Sequence, residues 1–99
     1  MDRKASLILH EKAELAGGFI VEVKVWQLPE ISGERPHGLK YSLFFGRPGE
    51  RIIAYDNETG KGDHRHLRER QEPYAFQSLE RLISDFRHDV TEELTKWKS

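Results

Sequence analysis

The sequence of 99 residues contains no cysteine, which excludes thiol catalysis, disulfide bonds and metal sites built from thiolates. It also lacks any apolar run long enough to span a membrane, and its first residues do not resemble a secretion signal. Neither sign of charge dominates, because 16 Lys and Arg face 17 Asp and Glu, for a net charge of -1. We therefore expect a cytoplasmic protein without a membrane partner, in which any contact with nucleic acid is a local patch.

The residue patterns predict one domain, residues 1–99, with an α+β fold. Alternating or strand-forming segments predict four strands, at Ser6–Glu11, Phe19–Leu28, Leu39–Gly46 and Arg51–Asp56. The segment Asp63–Leu67 is either a short fifth strand or part of one irregular loop, and Glu72–Tyr74 predicts a turn. The connections between the strands favour an antiparallel sheet of four to five strands in meander order.

The C-terminal segment predicts one long amphipathic helix. Ser78 is a suitable N-cap, and Glu80 places a negative charge in the first turn, where the helix dipole favours it. Apolar residues then recur at spacings of three and four and form one stripe, composed of Leu79, Leu82, Ile83, Phe86, Val90, Leu94 and Trp97. We expect this stripe to pack the helix on one face of the sheet.

The segment from Asp56 to His66 concentrates groups that can move protons or bind anions. Residues two apart in a strand share a face at a spacing of about 6.5–7 Å, so His64 and His66 would point the same way. One imidazole would then accept the proton of a ribose 2′-hydroxyl while the other donates a proton to the leaving oxygen. This pattern favours cleavage of RNA that needs no metal and no other cofactor.

The register of the predicted hairpin decides which residues assist the two histidines. If the hairpin places Asp56 opposite His64, then Ala54 lies opposite His66 and leaves room for a substrate. A slip of one residue would destroy this arrangement. Asp56 or Asp63 would orient an imidazole as the third member of the catalytic group.

Cationic and aromatic side chains close to these histidines are candidates for RNA contacts. The predicted phosphate contacts are Lys61, Arg65 and Arg68, and the predicted base-stacking residues are Tyr55 and Tyr74. Each group has a structural alternative, because aromatic residues beside a turn commonly belong to the core. The glycines on either side of Lys61 resemble part of an anion-binding nest, but they lack the spacing of a P-loop.

The histidine pair itself has two other interpretations. Two histidines on a half-exposed strand are often solvated surface residues, and a His-x-His pair is also a common pair of metal ligands. Asp56 or Asp63 would complete such a metal site. The remaining histidines, His10, His37 and His88, stand alone in the sequence and receive no role.

Several motifs resemble the TumE family of prokaryotic toxins. The main one runs from Tyr55 to His66 as Tyr-Asp-Asn-Glu-x-Gly-Lys-Gly-Asp-His-Arg-His, and it is followed by Glu-Pro-Tyr-x-Phe, ending at Phe76. Further similar motifs are Trp26-x-Leu-Pro29, His37-Gly-x-Lys-Tyr41, Phe45-Gly-x-Pro-Gly49 and, in the helix, Leu79 with Asp85-Phe86. The resemblance implies the toxin of a type II toxin–antitoxin system whose partner is a helix-turn-helix antitoxin.

Together, the resemblance and the histidine pair predict a toxin that binds and cleaves RNA. His64 and His66 would be the acid and base, with Asp56 or Asp63 as the orienting carboxylate. The alternatives are an interaction module without catalysis and a metal-dependent nuclease. The Ser6–Glu11 strand, if it lies at a sheet edge, would suit pairing with another chain, including a second copy in a homodimer.

Overall fold

The computed structural model describes residues 4–33, 35–57, 60 and 62–98. Within these residues, six strands form one antiparallel sheet and a single helix follows them. The elements are β1 (Ser6–Leu15), β2 (Phe19–Gln27), β3 (Leu39–Arg47), β4 (Glu50–Asp56), β5 (His64–Leu67), β6 (Arg70–Pro73) and α1 (Leu79–Lys98). Neighbouring strands in the sheet are neighbours along the chain, so the sheet is a meander.

The predicted α+β fold is confirmed, with one strand more than expected. Of the segment Asp63–Leu67, for which a strand and a loop were both open, His64–Leu67 forms the fifth strand, β5. The turn predicted at Glu72–Tyr74 is wrong, because Arg70–Pro73 forms β6. The chain reverses earlier, at Arg68, whose φ of 58° is in the left-handed region. Pro73 is tolerated because β6 is an edge strand, where proline breaks no inner ladder.

Helix α1 begins and packs as its sequence predicts. The hydroxyl of Ser78 accepts a hydrogen bond from the backbone N–H of Arg81 at 3.0 Å, so Ser78 caps the helix. Leu82 and Phe86 are buried, and the Phe86 ring lies edge-on to Tyr55 with 5.9 Å between ring centroids. The apolar stripe therefore covers one side of the sheet.

Side chains alternate along each strand, which gives the sheet two different faces. The helix face carries the side chains of Leu43, Phe45, Ile53 and Tyr55 and forms the core with α1. The open face carries those of Phe44, Ala54, Asp56, His64 and His66. None of the helices in the described part of the chain is long and apolar enough to cross a membrane.

The two edges of the sheet also differ. β6 is four residues long and ends in proline, whereas β1 is ten residues long and contains no proline. Most of β1 is exposed, including Leu7 and Ile8, whose exposed fractions are 52% and 49%. A long exposed edge strand offers unpaired backbone groups to another chain.

Candidate functional site

The β4–β5 hairpin has the register on which the predicted site depends. Asp56 pairs with His64, and Ala54 pairs with His66. The pair Tyr55–Arg65 lies between these two pairs, and both of its side chains point to the helix face. There, Nη1 of Arg65 lies 3.4 Å from Oδ2 of Asp89 in α1. Because successive side chains alternate, the two histidines share the open face with Asp56. We call Asp56, His64 and His66 the open-face cluster.

The two imidazoles of the open-face cluster are in direct contact. Their ring centroids are 4.9 Å apart, and their planes make an angle of 78°. Both side chains are buried, with exposed fractions of 3% for His64 and 7% for His66. The spacing leaves no room for a phosphodiester between the rings, so a substrate has to approach the pair from one side.

Hydrogen bonding orients the imidazole of His64. Its Nδ1 lies 3.0 Å from the carbonyl oxygen of Gly62, which can only accept, so Nδ1 carries a hydrogen. Its Nε2 lies 2.5 Å from Oδ1 of Asp56. That carboxylate oxygen is buried and makes no hydrogen bond of standard geometry despite the short distance. Asp56 therefore faces Nε2 of His64 at close range, with its oxygen off the direction of a linear hydrogen bond.

The open-face cluster also has the composition and spacing of a metal site. One nitrogen of each histidine and one oxygen of Asp56 lie within 4.8 Å of one another. Two imidazoles and a carboxylate are ligands that several divalent transition metals accept. Within the described residues, this is the one group of three or more such side chains that lie at metal-binding spacing.

Asp63 does not join the open-face cluster. Both of its carboxylate oxygens lie 3.2 Å from Nε2 of His37, and Nδ1 of His37 accepts a hydrogen bond from the N–H of Leu39 at 3.1 Å. The His37 ring packs on Phe76 with 4.0 Å between ring centroids. Burial, followed by the nearby Asp63 carboxylate, raises the pKa of Tyr41 far above its usual value. Asp56 is therefore the carboxylate that lies beside His64, and Asp63 belongs to a second pair with His37.

Sequence reasoning assigned no role to His37, and few signals could have revealed one. It lies in a loop with no periodic pattern, and its partner Asp63 is 26 residues away. The motif from His37 to Tyr41 was one of those resembling the TumE family, which was the available hint. Only the tertiary fold brings the two residues together.

The predicted cations are distributed differently from the expectation. Arg65 lies on the helix face, where its guanidinium contacts Glu72, Asp89 and the Tyr55 hydroxyl. Burial opposes ionisation of Arg65, but hydrogen bonds to Tyr55 and Glu72 outweigh it and raise the pKa of Arg65. The same contact lowers the pKa of Glu72. Arg65 therefore points away from the open face and is not placed to contact a phosphate bound there.

The other two predicted cations are not shown beside the histidines. Arg68 is exposed at the β5–β6 turn and forms an ion pair with Glu93 of α1 at 3.1 Å. It lines a surface depression with Arg51, Glu50 and Glu69. Lys61, the third predicted phosphate contact, lies outside the described residues.

The two predicted stacking residues are core or near-core aromatics. Tyr55 is fully buried, with Phe86 and Tyr74 edge-on to its ring, which removes it as a base-stacking candidate. Its hydroxyl donates to Asp89, and burial together with that bond raises the pKa of Tyr55. Tyr74 is half-buried and donates to Asp85 at 2.6 Å. Burial, then this bond, raises the pKa of Tyr74.

Comparison with known proteins places this geometry in context. A family model described as Toxin TumE matches residues 2–94, which is nearly the whole chain. No curated protein and no solved structure shows a significant match. The matched region contains the entire sheet, the open-face cluster and most of the helix.

Proposed function

The chain belongs to the TumE toxin family, and from this premise we propose that it is an endoribonuclease that acts at the open-face cluster. The observation that carries the proposal is the contact between two buried imidazoles and a carboxylate on the face that the helix leaves uncovered. Burying polar groups costs free energy unless hydrogen bonds compensate for it, so a cluster of such groups is a candidate for a functional role. Imidazoles supply acid and base groups near neutral pH, as RNA cleavage requires.

The cleavage step follows from the chemistry of RNA. A base removes the proton of the ribose 2′-hydroxyl, and the 2′-oxygen forms a bond to phosphorus. The bond from phosphorus to the 5′-oxygen breaks, and an acid gives that oxygen a proton. The products are a 2′,3′-cyclic phosphate and a 5′-hydroxyl. In this scheme His64 and His66 supply the acid and the base, and Asp56 holds His64 in position.

The contact between the rings changes the approach of the substrate from the sequence-based expectation. A phosphodiester lying between two imidazoles needs a wider gap than the 4.9 Å between their centroids. The opening beside His64 is a shallow pocket of about 210 Å³, which Gln71, Pro73 and the carboxylates of Asp63 and Glu72 also line. A phosphodiester that enters there needs a cation to offset the two negative charges. Lys61 keeps its predicted role as a phosphate contact, since Arg65 is bound on the other face.

A metal-dependent nuclease is the second candidate for the same site. The observation that favours it is the spacing of the three ligand atoms, which lie within 4.8 Å of one another. A bound metal would activate a water or stabilise charge on the phosphate, in place of proton transfer by the two imidazoles. The two candidates share the residues of the cluster and differ in their response to a chelator.

We further propose that a helix-turn-helix antitoxin neutralises the protein by direct binding, as the family implies. The exposed edge of β1, with Leu7 and Ile8, is the surface that best fits strand pairing with that partner. A second copy of the chain could use the same edge in a homodimer. Deuterium exchange of β1 amides, measured with and without the antitoxin, tests this docking site. Light scattering of the toxin alone tests the dimer.

The experiment that tests the nuclease is RNA cleavage by the purified protein, with and without EDTA. Loss of His66 in His66→Ala should lower the rate by about 10²–10⁴-fold, the usual contribution of an acid or base. His10→Ala is the matched control, because His10 is an exposed histidine of β1 that pairs with Glu22 of β2. No cleavage by wild-type protein under either condition would support the interaction module instead.

A further inference from the structure

We propose that Asp56, His64 and His66 bind one divalent transition-metal ion. This inference deepens the proposed nuclease by naming the cofactor of its site, and it rests on that proposal for the use of the ion. It selects the metal-dependent candidate, because an imidazole nitrogen that binds a metal cannot also accept a proton. Three observations support binding of the ion: the ligand types, the orientation of His64 and the pocket beside the cluster.

The ligand set suits a transition metal better than magnesium or calcium. Metal bonds to imidazole nitrogen and carboxylate oxygen are about 2.0–2.2 Å long, so the ligand atoms of one ion lie roughly 3–4 Å apart. The three ligand atoms here lie within 4.8 Å of one another, but Nε2 of His64 is only 2.5 Å from Oδ1 of Asp56. Small side-chain rotations would have to widen that contact and adjust the others to the spacing of one ion. Magnesium and calcium prefer oxygen ligands, whereas zinc, iron and manganese accept two imidazoles and one carboxylate.

The orientation of His64 brings two candidate ligand atoms together. The Gly62 carbonyl accepts from Nδ1 of His64, which leaves Nε2 facing Asp56. Nε2 lies 2.5 Å from Oδ1 of Asp56, and this oxygen is buried without a hydrogen bond of standard geometry. A bound cation would give Oδ1 the partner that it lacks.

The backbone supports His64 in the manner of a metal ligand. Histidines that bind metals usually donate their second ring N–H to a carbonyl or carboxylate, which fixes the ring and its tautomer. The Gly62 carbonyl has this role at 3.0 Å from Nδ1. The burial of both imidazoles keeps competing water away from the nitrogens.

The pocket beside His64 supplies access for a further ligand. Its volume is about 210 Å³, and Gln71, Glu72 and Pro73 line it together with His64 and Asp63. Three protein ligands and one open position are typical of a catalytic metal site rather than a structural one. A bound ion would there act as a Lewis acid on a phosphate oxygen or on a water.

The test is isothermal titration of the chelator-treated full chain with ZnCl2, and with MgCl2 for comparison. We expect one zinc ion per chain and no comparable binding of magnesium. His64→Ala and His66→Ala should each weaken zinc binding more than about 100-fold, since loss of mere supporting contacts costs 10–100-fold. His10→Ala should bind zinc like the wild type, because His10 lies on β1 and is paired with Glu22.

Cobalt substitution provides a readout that does not depend on the folding of a variant. Wild-type protein with Co²⁺ should show visible absorption bands of a site with imidazole ligands, and zinc should displace them. Absence of one-to-one zinc binding in wild-type protein, or zinc binding that survives both histidine substitutions in folded variants, would overturn the proposal. Zinc binding without RNA cleavage would leave the metal site standing and remove the nuclease. Cleavage that EDTA does not affect, in protein that binds no zinc, would remove the metal site and leave the nuclease standing.

Discussion

Two histidine–aspartate pairs lie beside the β4–β5 turn, and their hydrogen bonds differ. In the His37–Asp63 pair, Nδ1 of the histidine accepts from the N–H of Leu39, so Nε2 carries the hydrogen and donates to the Asp63 carboxylate. A neutral imidazole satisfies every one of these contacts. The pair joins the loop after β2 to the segment before β5.

In the His64–Asp56 pair, both ring nitrogens face oxygen atoms that accept. Nδ1 faces the Gly62 carbonyl, and Nε2 faces Oδ1 of Asp56. A neutral imidazole has only one N–H and can therefore donate to only one of these two oxygens. The pair also contacts the second buried imidazole, that of His66.

The comparison shows that residue types alone do not separate a structural pair from a candidate site. Both pairs consist of a histidine and an aspartate at hydrogen-bonding distance. The pair with complete hydrogen bonding is the structural one, and the pair with an acceptor left over is the one that we assign to binding and catalysis. The predictions below separate the two pairs, beginning with the largest expected effect.

The largest difference is expected in RNA cleavage. Asp56→Asn should lower the initial rate by about 10²-fold or more, because it removes the charge that orients His64 or binds the ion. Asp63→Asn is the matched control and should stay within about threefold, since a neutral amide can still accept from His37. Equal losses in the two variants, measured on one RNA substrate, would abolish the distinction between the pairs.

The free energy of unfolding should differ in the opposite direction. Asp63→Ala leaves the half-buried N–H of His37 without an acceptor, which costs about 1–3 kcal/mol. Asp56→Ala, in protein kept in EDTA, should cost less than about 1 kcal/mol, because Oδ1 of Asp56 makes no standard hydrogen bond that could be lost. Urea denaturation measures both values. A larger loss for Asp56→Ala would show that Asp56 has a structural role.

A third carboxylate, that of Asp85, should contribute to the pH dependence of stability independently of both pairs. Burial opposes ionisation of Asp85, but the Tyr74 hydroxyl and Arg81 outweigh it and lower the pKa of Asp85 below 3.8. Its stabilising contribution is therefore present above pH 3.8 and is lost as the pH falls through the lowered pKa. Asp85→Asn should reduce the loss of unfolding free energy between neutral and acid pH by roughly 1 kcal/mol or less. Urea denaturation at several pH values between about 2 and 7 measures this loss.

The smallest change is spectroscopic and requires no variant. In metal-free protein, ¹⁵N spectra should show the hydrogen of His37 on Nε2 and a hydrogen of His64 on Nδ1. Addition of zinc should shift the Nε2 resonance of His64 and leave that of His37 in place. The opposite assignment of His37 would contradict its structural role.

The fold was largely predictable because it depends on periodic patterns. Alternation in β2 and β3 placed their apolar residues on one face, the strand-forming run of β4 marked the next strand, and the helix stripe with the Ser78 cap defined α1. β6 was missed because Arg70–Pro73 has no alternation and contains proline, which is rare in inner strands. At an edge, pairing with β5 compensates for these weak local preferences.

The candidate site was predictable only in part. The register that sets Asp56 opposite His64 was a conditional prediction from the sequence, because a slip of one residue was equally open, and the structure has this register. The role of Tyr55 was not predictable, because alternation gives its face but not its burial under Phe86. Arg65 was assigned to phosphate from its position in the sequence, although alternation places it on the face opposite to the histidines.

The sequence by itself determined the family, the α+β class and the presence of two histidines on one face of a strand. Those properties are encoded locally, in motif residues and in hydrophobic periods of two and 3.6 residues. Only the tertiary structure decided which aspartate serves which histidine, because His37 meets Asp63 across 26 residues of chain. It also decided that the two imidazoles touch and are buried, since packing and hydrogen bonding depend on distances between segments that no local pattern encodes.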